Sequence, residues 1–172
     1  TSSAASDVYK RQVLRGIDRA VECGFDRIRL NAVILDGLNR DEVVPLTHYA
    51  LEKGIHIAFI EEMPLGQVNV GGKPLAYVSS DTLQEELAEH FTLVPMTASD
   101  TAGPARDFLI ADSQTQVGFI SPHSHNFCAQ CNRLRISAEG RLLMCLGNEE
   151  SIDLRGLLRT GSTDEEIKTT II

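Results

Sequence analysis

Two stretches of sequence decide the fold: Arg27-Ile-Arg-Leu-Asn-Ala-Val33 and Ile55-His-Ile-Ala-Phe-Ile60. Both are short runs rich in apolar and β-branched residues, and both are predicted to be β-strands. A helix is predicted between them, starting near Asn39 or, because of Pro45, at about Val44, and ending at Gly54. Strands separated by a helix of this length run parallel with a right-handed crossover, so we predict part of an α/β sheet or barrel.

The segment upstream of the first strand is predicted to contain a helix that ends at Gly24. Its apolar residues recur at helical spacing: Val13, Leu14, Ile17, Ala20 and Val21. Cys23 lies among these apolar neighbours and is expected to be a buried, small hydrophobic residue. Residues 1–11 are mostly small and polar, so we expect a non-native leader and leave them out of the fold prediction.

A second part of the chain begins in the glycine- and proline-rich stretch 64–74. The sequence predicts a helix over residues 81–90, several short strands up to Cys145, and two short helices, the last of which starts at the capping box Thr163-Asp-Glu-Glu166. We interpret this part as a mixed antiparallel cap. The predicted domains are therefore the leader at 1–11, the end of a sheet or barrel at 12–66, and the cap at 67–172.

The composition indicates a protein with room for one sizeable core. The chain has 172 residues, 42% of them hydrophobic, and a net charge of −8. It contains no apolar run of about 18 residues and no basic leader before an apolar stretch, so we expect a cytoplasmic protein without membrane contact. The acidic balance argues against broad nucleic-acid binding. It does not argue against a nucleotide, because one local group of arginines is enough to hold a triphosphate.

Three of the four cysteines form a candidate metal site, with Cys128 and Cys131 as a C-x2-C pair and Cys145 further along. Three thiolates hold three irons of an iron–sulfur cube and leave the fourth iron open to a ligand that is not protein. Structural zinc is the alternative, with His123 or His125 as its fourth ligand. A redox pair also stays open. A disulfide is disfavoured, because nothing marks the chain as secreted and one cysteine would be left over.

The segment between the second and third thiols is predicted to be a β-hairpin. Ser137-Ala-Glu-Gly140 supplies the turn. Apolar residues alternate with polar ones on either side of it: Leu134, Ile136, Leu142 and Met144. A hairpin would return Cys145 to the neighbourhood of the C-x2-C pair. Arg133 and Arg135 point to the same side of the first strand, because side chains repeat every two residues, and their guanidiniums suit a phosphate or a carboxylate.

These residues also carry a family resemblance. The run from Phe127 to Leu146 closely resembles the C-terminal signature of the MoaA-type GTP 3',8-cyclases, radical S-adenosylmethionine enzymes that begin molybdenum-cofactor synthesis. Further landmarks of the family occur in the same order: Leu30-Asn-Ala-Val33, Phe59-Ile-Glu-Glu-Met-Pro-Leu-Gly66, Gly103-Pro-Ala-Arg106, Gly118-Phe-Ile-Ser-Pro122 and Asp153-Leu-Arg155. Together they cover residues 12–172.

The resemblance implies the C-terminal half of such an enzyme. The family's N-terminal C-x3-C-x2-C motif, which binds a first [4Fe–4S] cluster, is absent from this sequence. What remains is similar to the end of an incomplete TIM-type (β/α)6 barrel and a cap that carries a second [4Fe–4S] cluster on Cys128, Cys131 and Cys145. The missing N-terminal half of the same enzyme is thus an implied partner. A second copy of the chain, in a homodimer, is a further partner that stays open.

The family's reaction converts GTP to (8S)-3',8-cyclo-7,8-dihydroguanosine 5'-triphosphate, with a radical generated from S-adenosylmethionine. The resemblance implies that this chain alone is inactive. It implies contacts to S-adenosylmethionine at Met63 and contacts to GTP at four residues: Arg29, Arg133, Leu134 and Arg135. The family has lysine at the position of Arg29 and usually arginine at the position of Ala58, so the phosphate contacts differ here.

Two other classes of function remain open at this point. One is a different radical enzyme with an auxiliary cluster domain. The other is a non-catalytic zinc or iron–sulfur module that mediates interactions. The run from Asn132 to Arg135 and the segment from Met63 to Gly66 favour the cyclase over another radical enzyme. Metal content separates the zinc module from both.

Overall fold

The protein is described by a computed structural model at residues 2–63, 69–70, 73–74, 76–97, 103–125, 131, 133–145 and 150–171. The chain divides into two compact units, Thr1–Phe127 and Cys128–Ile172, and each is described by itself. The sequence analysis places a domain boundary after residue 66. That boundary refers to the domains of the family and not to these compact units, and it remains a prediction.

The first unit is built on a mixed β-sheet. Its strands, in chain order, are β1 (Arg29–Asp36), β2 (His56–Glu61), β3 (Asn69–Val70), β4 (Lys73–Pro74), β5 (Ala76–Tyr77), β6 (Leu93–Pro95), β7 (Ala105–Ile110) and β8 (Gln116–Ile120). Six of them form one sheet in the order β5-β1-β2-β8-β7-β6, and β3 pairs with β4 alone. Strands β1, β2 and β8 are parallel, while β5, β6 and β7 pair antiparallel with their neighbours. The predicted α/β class and the parallel pairing of the first two strands are confirmed.

Three α-helices accompany this sheet: α1 (Ser2–Glu22), α2 (Val43–Lys53) and α3 (Ser80–Ala88). Helix α2 ends at Gly54 as predicted, where a φ of 66° favours glycine. It begins at Val43 after a short 3-10 turn, because the Asn39 side chain is engaged elsewhere. The Asn39 amide accepts from the Leu35 N–H and donates to the Val33 carbonyl, both at 2.9 Å, which fixes the turn after β1 rather than capping the helix.

Helix α1 differs from the prediction in two respects. It includes residues 2–11, which the sequence analysis left out of the fold as a leader. Cys23 is exposed, so the expectation of a buried thiol is wrong. The helix ends at Glu22, and Cys23 therefore lies in the turn that leads to Gly24, beyond the apolar stripe of the helix. Within the described part of the chain, no helix is long and apolar enough to cross a membrane.

The core lies on one face of the six-stranded sheet. Alternate residues of the strands are fully or almost fully buried there, in one cluster with apolar residues of α2 and α3: Ile34, Ile57, Phe59, Ile110, Val117 and Phe119. Each such side chain contributes about 1.5–3 kcal/mol of burial free energy. The intervening residues lie on the opposite face, which also carries apolar side chains: Val33, Ile60, Leu109 and Ile120. We call it the polar face after its polar and small residues: Arg29, Asn31, His56, Ala58, Asp107, Gln116 and Gly118.

The second unit is a small antiparallel sheet with two helices. Its elements are β9 (Arg135–Ile136), β10 (Arg141–Leu143), β11 (Ser151–Asp153), α4 (Leu154–Arg159) and α5 (Asp164–Ile171), with the strands in the order β11-β10-β9. The predicted hairpin turn is confirmed: the Gly140 N–H bonds the Ser137 carbonyl at 2.9 Å, and Gly140 has a φ of 78°. The capping box is confirmed as well, since the Thr163 N–H donates to Glu166 at 2.7 Å and the Glu166 N–H donates to Thr163 at 3.4 Å.

Candidate functional site

The β9–β10 hairpin places one of the predicted cluster ligands, Cys145, just beyond its open end. Leu143 pairs with Arg135 in the last step of the ladder, so Arg133 and Cys145 each lie two residues beyond it. Cys131 precedes Arg133 by two further residues in the sequence. Both Cys131 and Cys145 are exposed. Cys128 lies outside the described residues, as do its neighbours from 126 to 130.

The chemistry of the described donors fits the predicted metal. Exposed thiols at one end of a hairpin suit either an iron–sulfur cluster or a zinc ion, both of which bind thiolate sulfur. Among the described residues, which omit Cys128, no group of three or more His, Cys, Asp or Glu side chains could hold a metal ion. The three-cysteine ligand set therefore stays a prediction.

The predicted phosphate-binding residues of this hairpin face solvent. Arg133 and Arg135 are both exposed, and Leu134 between them is 59% exposed. Two exposed guanidiniums two residues apart are available to an anionic ligand, and whether they share one side of the chain stays a prediction because β9 begins only at Arg135. An exposed leucine beside them adds an apolar contact surface. The hairpin thus presents thiols, cations and an apolar side chain along one short segment.

The two histidines considered as zinc ligands belong to the first unit and have other contacts there. Nε2 of His125 lies 2.8 Å and 3.0 Å from the two carboxylate oxygens of Asp81. Asp81 also accepts from Arg106 at 2.9 Å, and these hydrogen bonds from His125 and Arg106 lower the pKa of Asp81. The ring of His123 stacks on Tyr77 with 4.8 Å between centroids.

Arg29 is the first residue of β1 and lies on the polar face. Its guanidinium forms an ion pair with Asp107 of β7, and each side chain is 22% exposed. The sheet order places β2 and β8 between them, and Gly118 of β8 lies beneath the pair. The predicted phosphate ligand is therefore already held by a carboxylate of this chain.

His56 is the neighbour of Arg29 on β2 and shares the polar face. Its Nδ1 accepts a hydrogen bond from the Gln116 N–H at 3.1 Å, which requires an unprotonated nitrogen there. Burial lowers the pKa of His56, and the charges of Arg27 and Arg29 lower it further, against the opposing effect of Asp107. The imidazole is thus kept neutral near neutral pH. The positive charge of the polar face is therefore carried by arginine side chains and not by His56.

Met63, the predicted contact to S-adenosylmethionine, follows β2 by two residues and is half-buried. It lies beyond the carboxyl end of β2, whereas Arg29 lies at the amino end of the neighbouring β1. The intervening strand from His56 to Glu61 spans about 17 Å at 3.3 Å per residue. The two predicted ligand residues of the first unit therefore lie at opposite ends of the sheet.

Sequence reasoning missed Glu61, a carboxylate that is only 1% exposed at the end of β2. It accepts hydrogen bonds from the backbone N–H groups of Ser80 at 2.7 Å, Ser124 at 2.9 Å and His123 at 3.1 Å, and from the Ser124 hydroxyl. Burial acts to raise the pKa of Glu61, but the hydrogen bonds from Ser124 and Ser80 outweigh it and lower the pKa to about 2. One carboxylate thus joins β2, the start of α3 and the turn after β8.

A signal for Glu61 was present in the sequence. Ile57 and Phe59 occupy alternate positions of the same strand, and the period of two places residue 61 on the same buried face. A charged residue at such a position needs hydrogen-bond partners, because an unpaired buried charge is strongly unfavourable. The partners themselves come from distant segments and could not be named from the sequence.

Comparison with known proteins assigns the chain to a described family. A family model described as Molybdenum Cofactor Synthesis C matches residues 55–172. A GTP 3',8-cyclase of Pseudomonas entomophila (strain L48) is 53% identical over 150 residues, which are 87% of this chain and 45% of the relative.

Two further relatives give the same result. A GTP 3',8-cyclase of Marinobacter nauticus (strain ATCC 700491 / DSM 11845 / VT8) is 49% identical over 94% of this chain and 49% of its own length. A GTP 3',8-cyclase of Pseudomonas putida (strain W619) is 53% identical over 90% of this chain and 46% of its own length. The chain therefore spans about half the length of the curated relatives it matches.

Proposed function

The chain belongs to the Molybdenum Cofactor Synthesis C family, and we propose that it is the C-terminal half of a GTP 3',8-cyclase. The observation that carries the proposal is the identity of about one half to relatives of that name over most of the chain. The exposed thiols and arginines of the β9–β10 hairpin support it, because this activity requires a site for an anionic nucleotide. The proposed localisation is the cytoplasm.

The first unit is proposed to be the end of an incomplete (β/α)6 barrel. The parallel strands β1, β2 and β8 support this arrangement, as does the crossover through α2. Among the described residues, no strand pairs with the outer edge of β1 from residue 29 to 34, since β5 meets only Leu35 and Asp36. A strand of the N-terminal half would add to this edge, and the polar face would then line the barrel interior.

In the second unit, Cys128, Cys131 and Cys145 are proposed to hold a [4Fe–4S] cluster. When bound, the cluster supplies an open iron position for the guanine base. The neighbouring Arg133 and Arg135 would neutralise phosphate charge, and Leu134 would contact the base or ribose. The five described residues among these, Cys131, Arg133, Leu134, Arg135 and Cys145, are all exposed, as these roles require.

In the first unit, Arg29 is proposed to contact the phosphates of GTP, and the backbone of Met63 is proposed to contact S-adenosylmethionine. The radical itself would arise with the first cluster of the N-terminal half. The chain is therefore expected to bind GTP without cyclising it, and the N-terminal half and a second copy are its proposed protein partners.

A zinc-binding interaction module is the second candidate, because exposed thiols bind zinc as readily as iron. Metal content separates the two. We would reconstitute the chain anaerobically with iron and sulfide, with zinc present in a parallel sample, and measure both metals and the visible absorption of a cluster. About four irons per chain are expected. One zinc per chain without iron would contradict the cyclase proposal.

A matched pair of cysteine variants sharpens this measurement. Cys145→Ser is expected to lose most of the bound iron, because it removes one of three proposed ligands. Cys23→Ser is the control, since Cys23 is an exposed thiol of the first unit outside the proposed site. Equal iron content in the two variants would show that the hairpin thiol is not a ligand.

A further inference from the structure

The polar face of the first unit contains one ion pair that spans the sheet, between Arg29 of β1 and Asp107 of β7. The two strands are not neighbours, because β2 and β8 lie between them. The guanidinium and the carboxylate therefore meet above the surface of the intervening strands. Both side chains are 22% exposed, so the pair is open to solvent and to a ligand that approaches this face.

The pair depends on the small residues beneath it. A Cβ atom at Gly118 would lie 2.5 Å from Oδ1 of Asp107 and 3.1 Å from Nη2 of Arg29, closer than van der Waals contact allows. Ala58, the neighbour of Gly118 on β2, is fully buried. A larger side chain at Gly118 would fill the space in which the two charged groups meet. The close approach therefore depends on glycine at this position.

Arg29 keeps unused hydrogen-bonding capacity in this arrangement. A guanidinium has five N–H donors in a planar fork. One of them, on Nη2, donates to Oδ1 of Asp107. The Nε atom is buried and has no hydrogen-bond partner among the described residues. A buried donor without an acceptor is unfavourable by about 1–3 kcal/mol. A ligand oxygen that accepted a hydrogen bond from this N–H group would remove that cost.

We propose that Asp107 is an internal competitor for Arg29: its carboxylate occupies the guanidinium in the absence of ligand, and a polyphosphate must displace it to bind. Asp107 then sets the affinity of the polar face for the phosphates of the nucleotide. This inference rests on the proposed function, which supplies both the role of Arg29 as a phosphate ligand and GTP as the source of the phosphates. The carboxylate also holds the Arg29 guanidinium beside Gly118, where the phosphates would meet it.

Asp107→Asn tests the proposal, because asparagine keeps the shape and the acceptor oxygen while it removes the charge. We would measure dissociation constants of the full chain for GTP and for inorganic tripolyphosphate by calorimetry at one fixed ionic strength. The variant is expected to bind both roughly 5- to 20-fold more tightly than the wild-type chain, since a negative charge next to the phosphates is gone. Both ligands should gain by the same factor, because they share the phosphates.

Two further variants isolate the pair. Asp112→Asn removes the same charge from the exposed turn that joins β7 to β8, and it should leave both dissociation constants within twofold of wild type. In the double variant with Arg29→Ala and Asp107→Asn, the second substitution should no longer tighten the binding of either ligand relative to Arg29→Ala alone, because no guanidinium remains to be released. Thermal unfolding of each variant reports whether the fold is kept.

The results that overturn the proposal differ from those that overturn the proposed function. Unchanged or weaker tripolyphosphate binding by a folded Asp107→Asn variant would refute the competition, and so would a gain that persists in the double variant. A gain for GTP without one for tripolyphosphate would refute it as well, because the phosphates would not be the cause. Iron content of the hairpin decides the proposed function separately, since neither Arg29 nor Asp107 belongs to that unit.

Discussion

The carboxyl end of β2 and the open end of the β9–β10 hairpin are both polar regions, yet they are built in opposite ways. Glu61 is buried and receives four hydrogen bonds from two distant segments of the same unit. Cys131, Cys145 and the neighbouring arginines are exposed. The first region completes its own interactions within the chain, whereas the second offers donors that suit a metal and an anion.

The difference extends to the cores of the two units. The first unit buries a large set of apolar residues on one face of its sheet. Among the described residues of the second unit, Leu142 is the only buried apolar side chain. A sheet of three short strands with so small a core is marginal by itself, and small folds of this kind commonly gain stability from a bound metal. The comparison therefore predicts that the first unit is stable without ligand and that the second depends on one.

The largest effect is expected when the Glu61 charge is removed. Glu61→Gln keeps the side-chain size but replaces a carboxylate acceptor with an amide that cannot accept at both ends, so at least one buried N–H loses its partner. Urea denaturation should show a loss of about 3 kcal/mol in the free energy of unfolding. Glu85→Gln, on the exposed side of α3, should change it by less than about 0.5 kcal/mol. Equal losses of unfolding free energy in Glu61→Gln and Glu85→Gln would contradict the claim that the hydrogen bonds of Glu61 stabilise the first unit.

Acid should reveal the same carboxylate. The pKa of Glu61 is lowered from 4.5 to about 2 in the folded chain, so its contribution to stability is fully present above about pH 4.5 and is lost as the pH falls towards 2. The contribution is on the order of 3 kcal/mol, since one pKa unit corresponds to about 1.4 kcal/mol. The free energy of unfolding of wild type should therefore fall more steeply across this window than that of Glu61→Gln. Parallel acid profiles would contradict the assignment.

A smaller effect should appear at the turn of the hairpin. Gly140 has a φ of 78°, and an added Cβ would lie 2.7 Å from the Cβ of Arg155. Gly161 has a φ of 79° but nothing within 4 Å of the same atom. Gly140→Ala should therefore destabilise the second unit by about 1–2 kcal/mol more than Gly161→Ala does, because only the first combines backbone strain with a clash. Hydrogen exchange of β9 and β10 would measure the difference, and equal protection in both variants would contradict it.

Local features were predictable from the sequence to a useful degree. The parallel strands, the end of α2 at Gly54, the hairpin turn and the capping box at Thr163 all depend on residues close together in the chain, and the structure confirms them. The exposure of Cys23 was predicted wrongly, because the apolar pattern alone did not show where the helix stops.

The features missed by the sequence analysis depend on long-range strand order. The ion pair of Arg29 with Asp107 requires β7 to lie beside β8 in the same sheet as β1, and no local pattern reveals that order. The partners of Glu61 likewise come from the start of α3 and from the turn after β8. The exposed residues of the hairpin were identified from their spacing and from the family resemblance, and their roles as ligands remain predictions.

The most direct test of the account is electron paramagnetic resonance of the anaerobically reconstituted and reduced chain, recorded with and without GTP. We expect a [4Fe–4S] signal that shifts when GTP is added, because the nucleotide would occupy the open iron position beside Arg133 and Arg135. A cluster signal that GTP leaves unchanged would contradict direct binding of the nucleotide at this hairpin. The absence of any iron signal, together with one bound zinc, would contradict the account as a whole.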